Sequence, residues 1–103
     1  MAKSMRDPKR KPTHPGAILR EDVLPTLDMT QGEFAERLGV SRLTVSKLLH
    51  EKRACSPEMA VRLGKLLGTS AESWLAMQAA VDLWQVKHNT GRLAKVEPIR
   101  TTG

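Results

Sequence analysis

Between residues 14 and 88 the apolar positions recur three and four apart, the spacing of a single buried helix face, and no segment alternates as a half-buried strand would. Pro15 opens a first helix through Ile18, Leu19 and Leu24, which Pro25 is expected to stop. Thr30 and Glu33 stand at capping-box spacing and begin a second helix, with Phe34, Ala35 and Leu38 facing inward and Gly39 at its end. Val40 fills the turn, and Ser41 caps a third helix running from Arg42 to about His50. Ser56-Pro57-Glu58 combines an N-cap, a proline in the first turn and an acid facing the helix dipole. Met59, Leu63, Leu66 and Leu67 line that fourth helix and Gly68 closes it. Ser70 caps a longer fifth helix from Ala71 to about His88, ended by Asn89 and Gly91. The pattern predicts an all-α fold of five helices. Residues 1–13 form a flexible basic arm, residues 14–88 the folded domain and residues 89–103 a short tail, with Val96 and Ile99 extended.

The second and third helices, joined by Gly39-Val40-Ser41, make a helix-turn-helix, a unit whose second helix enters the DNA major groove. On the third helix Val45, Leu48 and Leu49 share the inner face. Arg42, Leu43, Ser46, Lys47 and His50 share the outer one, with no acid before Glu51. Arg42 has the fork for guanine O6 and N7, Lys47 suits guanine or a phosphate, and Leu43 suits a thymine methyl. Gln31 offers an amide and helix-start N–H groups to a phosphate, and Lys52 and Arg53 would lie beside the backbone. With Ser41 and Thr44, these are the candidate DNA-binding residues. Taken alone, such a polar stripe also describes an ordinary solvated helix face.

Charge sharpens the choice. The 103 residues carry 17 Lys and Arg against 11 Asp and Glu, a net +6, and that balance favours a polyanionic partner. Residues 1–20 carry +5 and residues 41–53 carry +3, so a charge maximum falls on the outer face just described. Residues 21–40 carry −4; with Glu33 committed to its cap, Glu21, Asp22, Asp28 and Glu36 are free to dock a cationic protein.

Other chemistries find little support. One cysteine, Cys55, excludes an internal disulfide and a cysteine-rich metal site, although its place beside a helix start favours a lowered thiol pKa. His14, His50 and His88 lie in separate segments with no partner at ligand spacing, so neither a metal nor a catalytic set is expected, nor a cofactor. No secretory leader or membrane span is evident, and a cytoplasmic protein is expected. Along the last helix Trp74, Leu75, Met77, Val81, Leu83, Trp84 and Val86 wrap most of the cylinder. One core can cover only one face, so a homodimer is expected, with Leu83 and Trp84 in the interface.

Thr30-Gln31-Gly32-Glu33-Phe34-Ala35-Glu36-Arg37-Leu38-Gly39-Val40-Ser41 resembles the phage-repressor (XRE/Cro-like) helix-turn-helix. More narrowly, His14-Pro15-Gly16, Val40-Ser41-Arg42, Thr44 to Leu49, Ser56 to Ala60 with Arg62-Leu63, and Trp74 to Ala80 with Asp82-Leu83-Trp84 resemble HigA antitoxins of type II toxin–antitoxin systems. The resemblance spans residues 14–86. It implies a homodimeric repressor of its own operon that binds double-stranded operator DNA and neutralises a HigB-type ribonuclease toxin. A free-standing regulator of the same fold, without a toxin, is the alternative. The chain departs from the family pattern at His50-Glu51, where Asn-Gly is usual, and at Val81, where tyrosine is frequent.

Overall fold

A computed structural model describes residues 10–89 and 91–99, apart from the side chain of Arg92. Helices α1 (Pro15–Ile18) and α2 (Leu24–Leu27) are joined without a break by a π-turn, Leu19–Val23. There follow α3 (Gln31–Leu38), α4 (Arg42–Leu49), α5 (Pro57–Leu67), α6 (Ala71–His88) and a 3₁₀ turn, Arg92–Lys95. With the first rod counted once, the fold is five helices, and the described residues contain no strand.

The first rod corrects one expectation. Pro25 does not stop it; the helix continues to Leu27 and ends at Asp28, in the left-handed region at φ 56°. In an unbroken α-helix the Pro25 ring would strike the carbonyl four residues back and leave it without a donor. The π-turn, in which the Leu24 N–H bonds to the Leu19 carbonyl, changes the register just before the proline. The Thr26 hydroxyl then donates to the Asp22 carbonyl at 2.6 Å.

The other boundaries follow their caps. Thr30 and Glu33 close a reciprocal capping box on α3. Ser41, Ser56 and Ser70 each accept from a backbone N–H of the first turn they precede. Gly39 and Gly68 end α3 and α5 at φ 77° and 72°. The 3₁₀ turn was not foreseen; beyond it Val96 is extended.

Leu19, Phe34, Ala35, Leu38, Val45, Leu48, Leu49, Met59, Ala60, Leu63 and Trp74 form one buried cluster, so every helix gives its apolar face to a common core. Buried polar groups are answered within it. Gln78 accepts from the Cys55 N–H at 2.8 Å and donates to Asp82 at 2.9 Å, tying the loop after α4 to α6. The Trp74 indole donates to Thr69 at 2.8 Å. No helix of the described residues is long and apolar enough to cross a membrane.

Candidate nucleic-acid interface

The orientation of α4 is set at both ends. At its start, Gly39 turns the chain and the Ser41 hydroxyl accepts from the Thr44 N–H at 3.0 Å. Arg62, reaching from α5, donates to the Leu38 carbonyl at 2.7 Å and is itself held by Glu58 at 2.8 Å. The last carbonyl of α3 is therefore satisfied by a cation, which also suits the negative end of the helix dipole.

At the far end the first helix closes on α4. Gly16 lies so near the Leu48 carbonyl oxygen that a methyl group there would run into it. Arg20 donates to the Leu49 carbonyl at 2.6 Å and pairs with Glu51 at 3.3 Å and Glu21 at 2.8 Å. Glu51 occupies the left-handed region at φ 60°, a conformation that glycine adopts without cost. The departure from Asn-Gly at His50-Glu51 thus keeps the left-handed turn but fills it with a carboxylate facing Arg20.

With its ends fixed, α4 presents Arg42, Leu43, Lys47 and His50 exposed on one arc, with half-buried Ser46 between them. Leu43 is 63% exposed in a protein whose other α4 leucines are sealed. The stem of Arg42 passes the start of α3, its Cδ 3.9 Å from where a Gly32 Cβ would stand. The first turn of α3, with Gln31 at its head, therefore adjoins the first turn of α4. Lys52 and Arg53 are exposed in the turn after α4. Among the described residues no ion pair engages Arg42, Lys47, Lys52 or Arg53, whereas Arg20 and Arg62 are both bound by carboxylates.

The hydroxyls are less available. Ser41 accepts from the backbone and donates to Thr44 Oγ1 at 2.9 Å, so its capacity is largely spent on the cap. The Thr44 hydroxyl keeps its own proton to donate. His50 Nδ1 lies 2.8 Å from the Ser46 carbonyl and so carries a proton toward it, leaving Nε2 outward.

Three features escaped the sequence reading. His14 is not a surface residue: it is 7% exposed and caps α1, its Nδ1 accepting from the Gly16 N–H at 2.9 Å. Burial lowers its pKa below the ordinary 6.5, and neighbouring Lys11 and Arg20 act the same way against the opposing pull of Glu51 and Asp82. Cys55 is sealed in the core, and burial pushes its thiol up rather than down, contrary to the helix-start argument. Arg20 and Arg62 act on residues 29 and 24 positions away, so no local pattern could have separated them from the free cations.

On α6, Trp74 and Val81 turn into the core, while Leu83 is 56% exposed and Val86 also faces outward. Ala76, Ala79, Leu83 and Val86 fall on one exposed stripe at helical spacing. Trp84 is half-buried and stacks on His88 with centroids 3.9 Å apart, its indole N–H enclosed without a partner among the described residues. Residues 1–9 of the basic arm lie outside the described residues.

Residues 19–74 match the helix-turn-helix family. An uncharacterized HTH-type transcriptional regulator of Escherichia coli K12, YbaQ, is 47% identical over 82% of this chain and 75% of its own length. Antitoxin HigA-1 of Vibrio cholerae is 38% identical over 92% and 90%. Among solved structures, the Pseudomonas aeruginosa antitoxin HigA with the higBA promoter superposes with a TM-score of 0.81 at 35% identity, covering 87% of this chain and all of that one. The antitoxin GraA in complex with its operator gives 0.79 at 33% identity, over 98% and 99%.

Proposed function

The chain belongs to the helix-turn-helix family, in its HigA-like branch, and from that premise we propose that it binds operator DNA as a homodimer and represses its own operon. The observation that carries the reading is the outer arc of α4. It holds cations and an exposed leucine that no carboxylate of the described residues engages, on a helix fixed at both ends. Arg42 and Leu43 read base edges, with Ser46, Thr44 and Lys47 along the same helix. Gln31 and the free N–H groups at the start of α3 hold a phosphate, as do Lys52 and Arg53 beyond α4. Ser41 contributes through its cap. The exposed α6 stripe with Leu83, backed by Trp84, pairs two copies and sets their recognition helices about one DNA turn, roughly 34 Å, apart. The protein works by binding in the cytoplasm, without catalysis or cofactor.

We further infer that it silences a HigB-type ribonuclease toxin. Glu21, Asp22, Asp28 and Glu36 are exposed on the first rod and α3, an acidic surface on a basic protein. An enzyme that grips RNA must carry cations, and such a surface steers it into place. The free-standing regulator remains the second reading, favoured by the name of the YbaQ relative. Co-expression with the adjacent open reading frame separates the two. A recovered complex with growth arrest relieved supports the antitoxin; a neighbour that is neither bound nor toxic leaves the regulator alone. Gel-shift binding to the upstream promoter tests the reading common to both.

A further inference from the structure

We propose that the basic segment from Lys3 to Lys11 is a second nucleic-acid element, carrying the grip of this protein from the helix-turn-helix onto the DNA backbone flanking its site. The inference rests on the operator-binding reading and adds a surface that α3 and α4 do not supply. Its anchor is structural. The chain enters the fold at His14-Pro15-Gly16, and this corner is seated against the Leu48 carbonyl at the end of the recognition helix. Arg20, two turns further on, grips the neighbouring Leu49 carbonyl. The N-terminal segment therefore departs from the end of α4 that adjoins Lys52 and Arg53, where a helix lying in the major groove meets the phosphates at its rim.

The charge follows the same line. Lys3, Arg6, Lys9, Arg10 and Lys11 oppose a single acid, Asp7, over residues 1–13, and Arg10 and Lys11 are exposed. Their count exceeds that of the free cations on α4 and its following turn, which are Arg42, Lys47, Lys52 and Arg53. Pro8 and Pro12 disfavour helix, so the segment suits an extended track. From residue 3 to residue 13 it can reach at most roughly 35 Å, about one turn of duplex. Duplex DNA is favoured over other polyanions because the anchor sits on the recognition helix itself.

The test is fluorescence anisotropy of the full chain against the variant Lys3→Gln/Arg6→Gln/Lys9→Gln/Arg10→Gln/Lys11→Gln, on a duplex with ten base pairs of native flank and on one trimmed to the core site. A third protein lacking residues 1–9 but keeping His14-Pro15-Gly16 guards against a folding artefact, with circular dichroism on all three. On the flanked duplex both altered proteins are expected to bind about 10- to 100-fold more weakly at low salt. Their salt slopes should be shallower by about two to four units, near 0.9 per phosphate lost. On the trimmed duplex the three should nearly coincide. An unchanged slope on the flanked duplex overturns the proposal, as does an equal loss on the trimmed one. So does arm-dependent binding to single-stranded RNA or phosphatidylserine vesicles with no arm dependence on the flanked duplex. If the full chain itself does not prefer the operator to scrambled DNA, the operator reading fails instead.

Discussion

The two ends of α4 are held by different kinds of force. Its start is fixed locally: Gly39 turns, Ser41 caps three residues ahead, and only Arg62 comes from elsewhere. Its end is fixed almost entirely at a distance, by Gly16, His14 and Arg20 of the first rod. A helix that must present Arg42 and Leu43 to a groove has to be held against both tilt and rotation. The local cap defines where it begins, and the remote clamp defines where it points. Four arginines express the same division: Arg20 and Arg62 are spent on the scaffold, and Arg42 and Arg53 are left for a ligand.

Breaking the remote clamp should have the largest effect. Gly16→Ala drives a methyl into the Leu48 carbonyl, and parting the first rod from α4 should cost about 3 kcal/mol, read as a lowered midpoint in chemical denaturation. Operator affinity should fall with it even in buffers where the protein stays folded. At the opposite end, Ser41→Ala removes a cap that neighbouring groups also support, and should cost about 1 kcal/mol. If the two substitutions cost the same, the distinction between remote and local restraint is unfounded.

The clamp should also respond to pH. His14 must be neutral to accept from Gly16, and its pKa is lowered on folding. Its contribution to stability is therefore complete above the unfolded value of 6.5 and is lost as pH falls through and below it. His14→Asn, which keeps a capping oxygen, should flatten the stability profile between pH 7 and pH 5. An unaltered profile would remove His14 from the account. The smallest effect is expected at Glu51→Gly. Relief of a left-handed conformation, worth about 1 kcal/mol, is set against the loss of an exposed ion pair, so thermal melting should shift by little and upward.

Much of this arrangement was legible in the sequence where the determinants are local. The capping box at Thr30 and Glu33, the serine caps, the glycine turn and the inner face of Val45, Leu48 and Leu49 all depend on residues within a turn or two. Pro25 was misread because a π-turn changes the register that a proline rule assumes. His14 and Cys55 were misread because burial, which no local spacing reveals, sets the state of both groups. The candidate base-reading residues were visible as a face, but their distinction from Arg20 and Arg62 was not. That distinction depends on carbonyls and carboxylates contributed by other helices.

The central claim is that the face of α4 reads sequence while the turn beyond it holds the backbone. It is tested most directly by measuring the salt dependence of binding for Arg42→Ala and Lys52→Ala on operator and scrambled duplexes. Arg42→Ala should lose about 1–3 kcal/mol on the operator and much less on scrambled DNA, relaxing preference at one base pair. Lys52→Ala should weaken both duplexes alike and reduce the salt slope by about one unit. Should Arg42→Ala weaken operator and scrambled DNA equally, α4 is not the reading helix, and the account is contradicted.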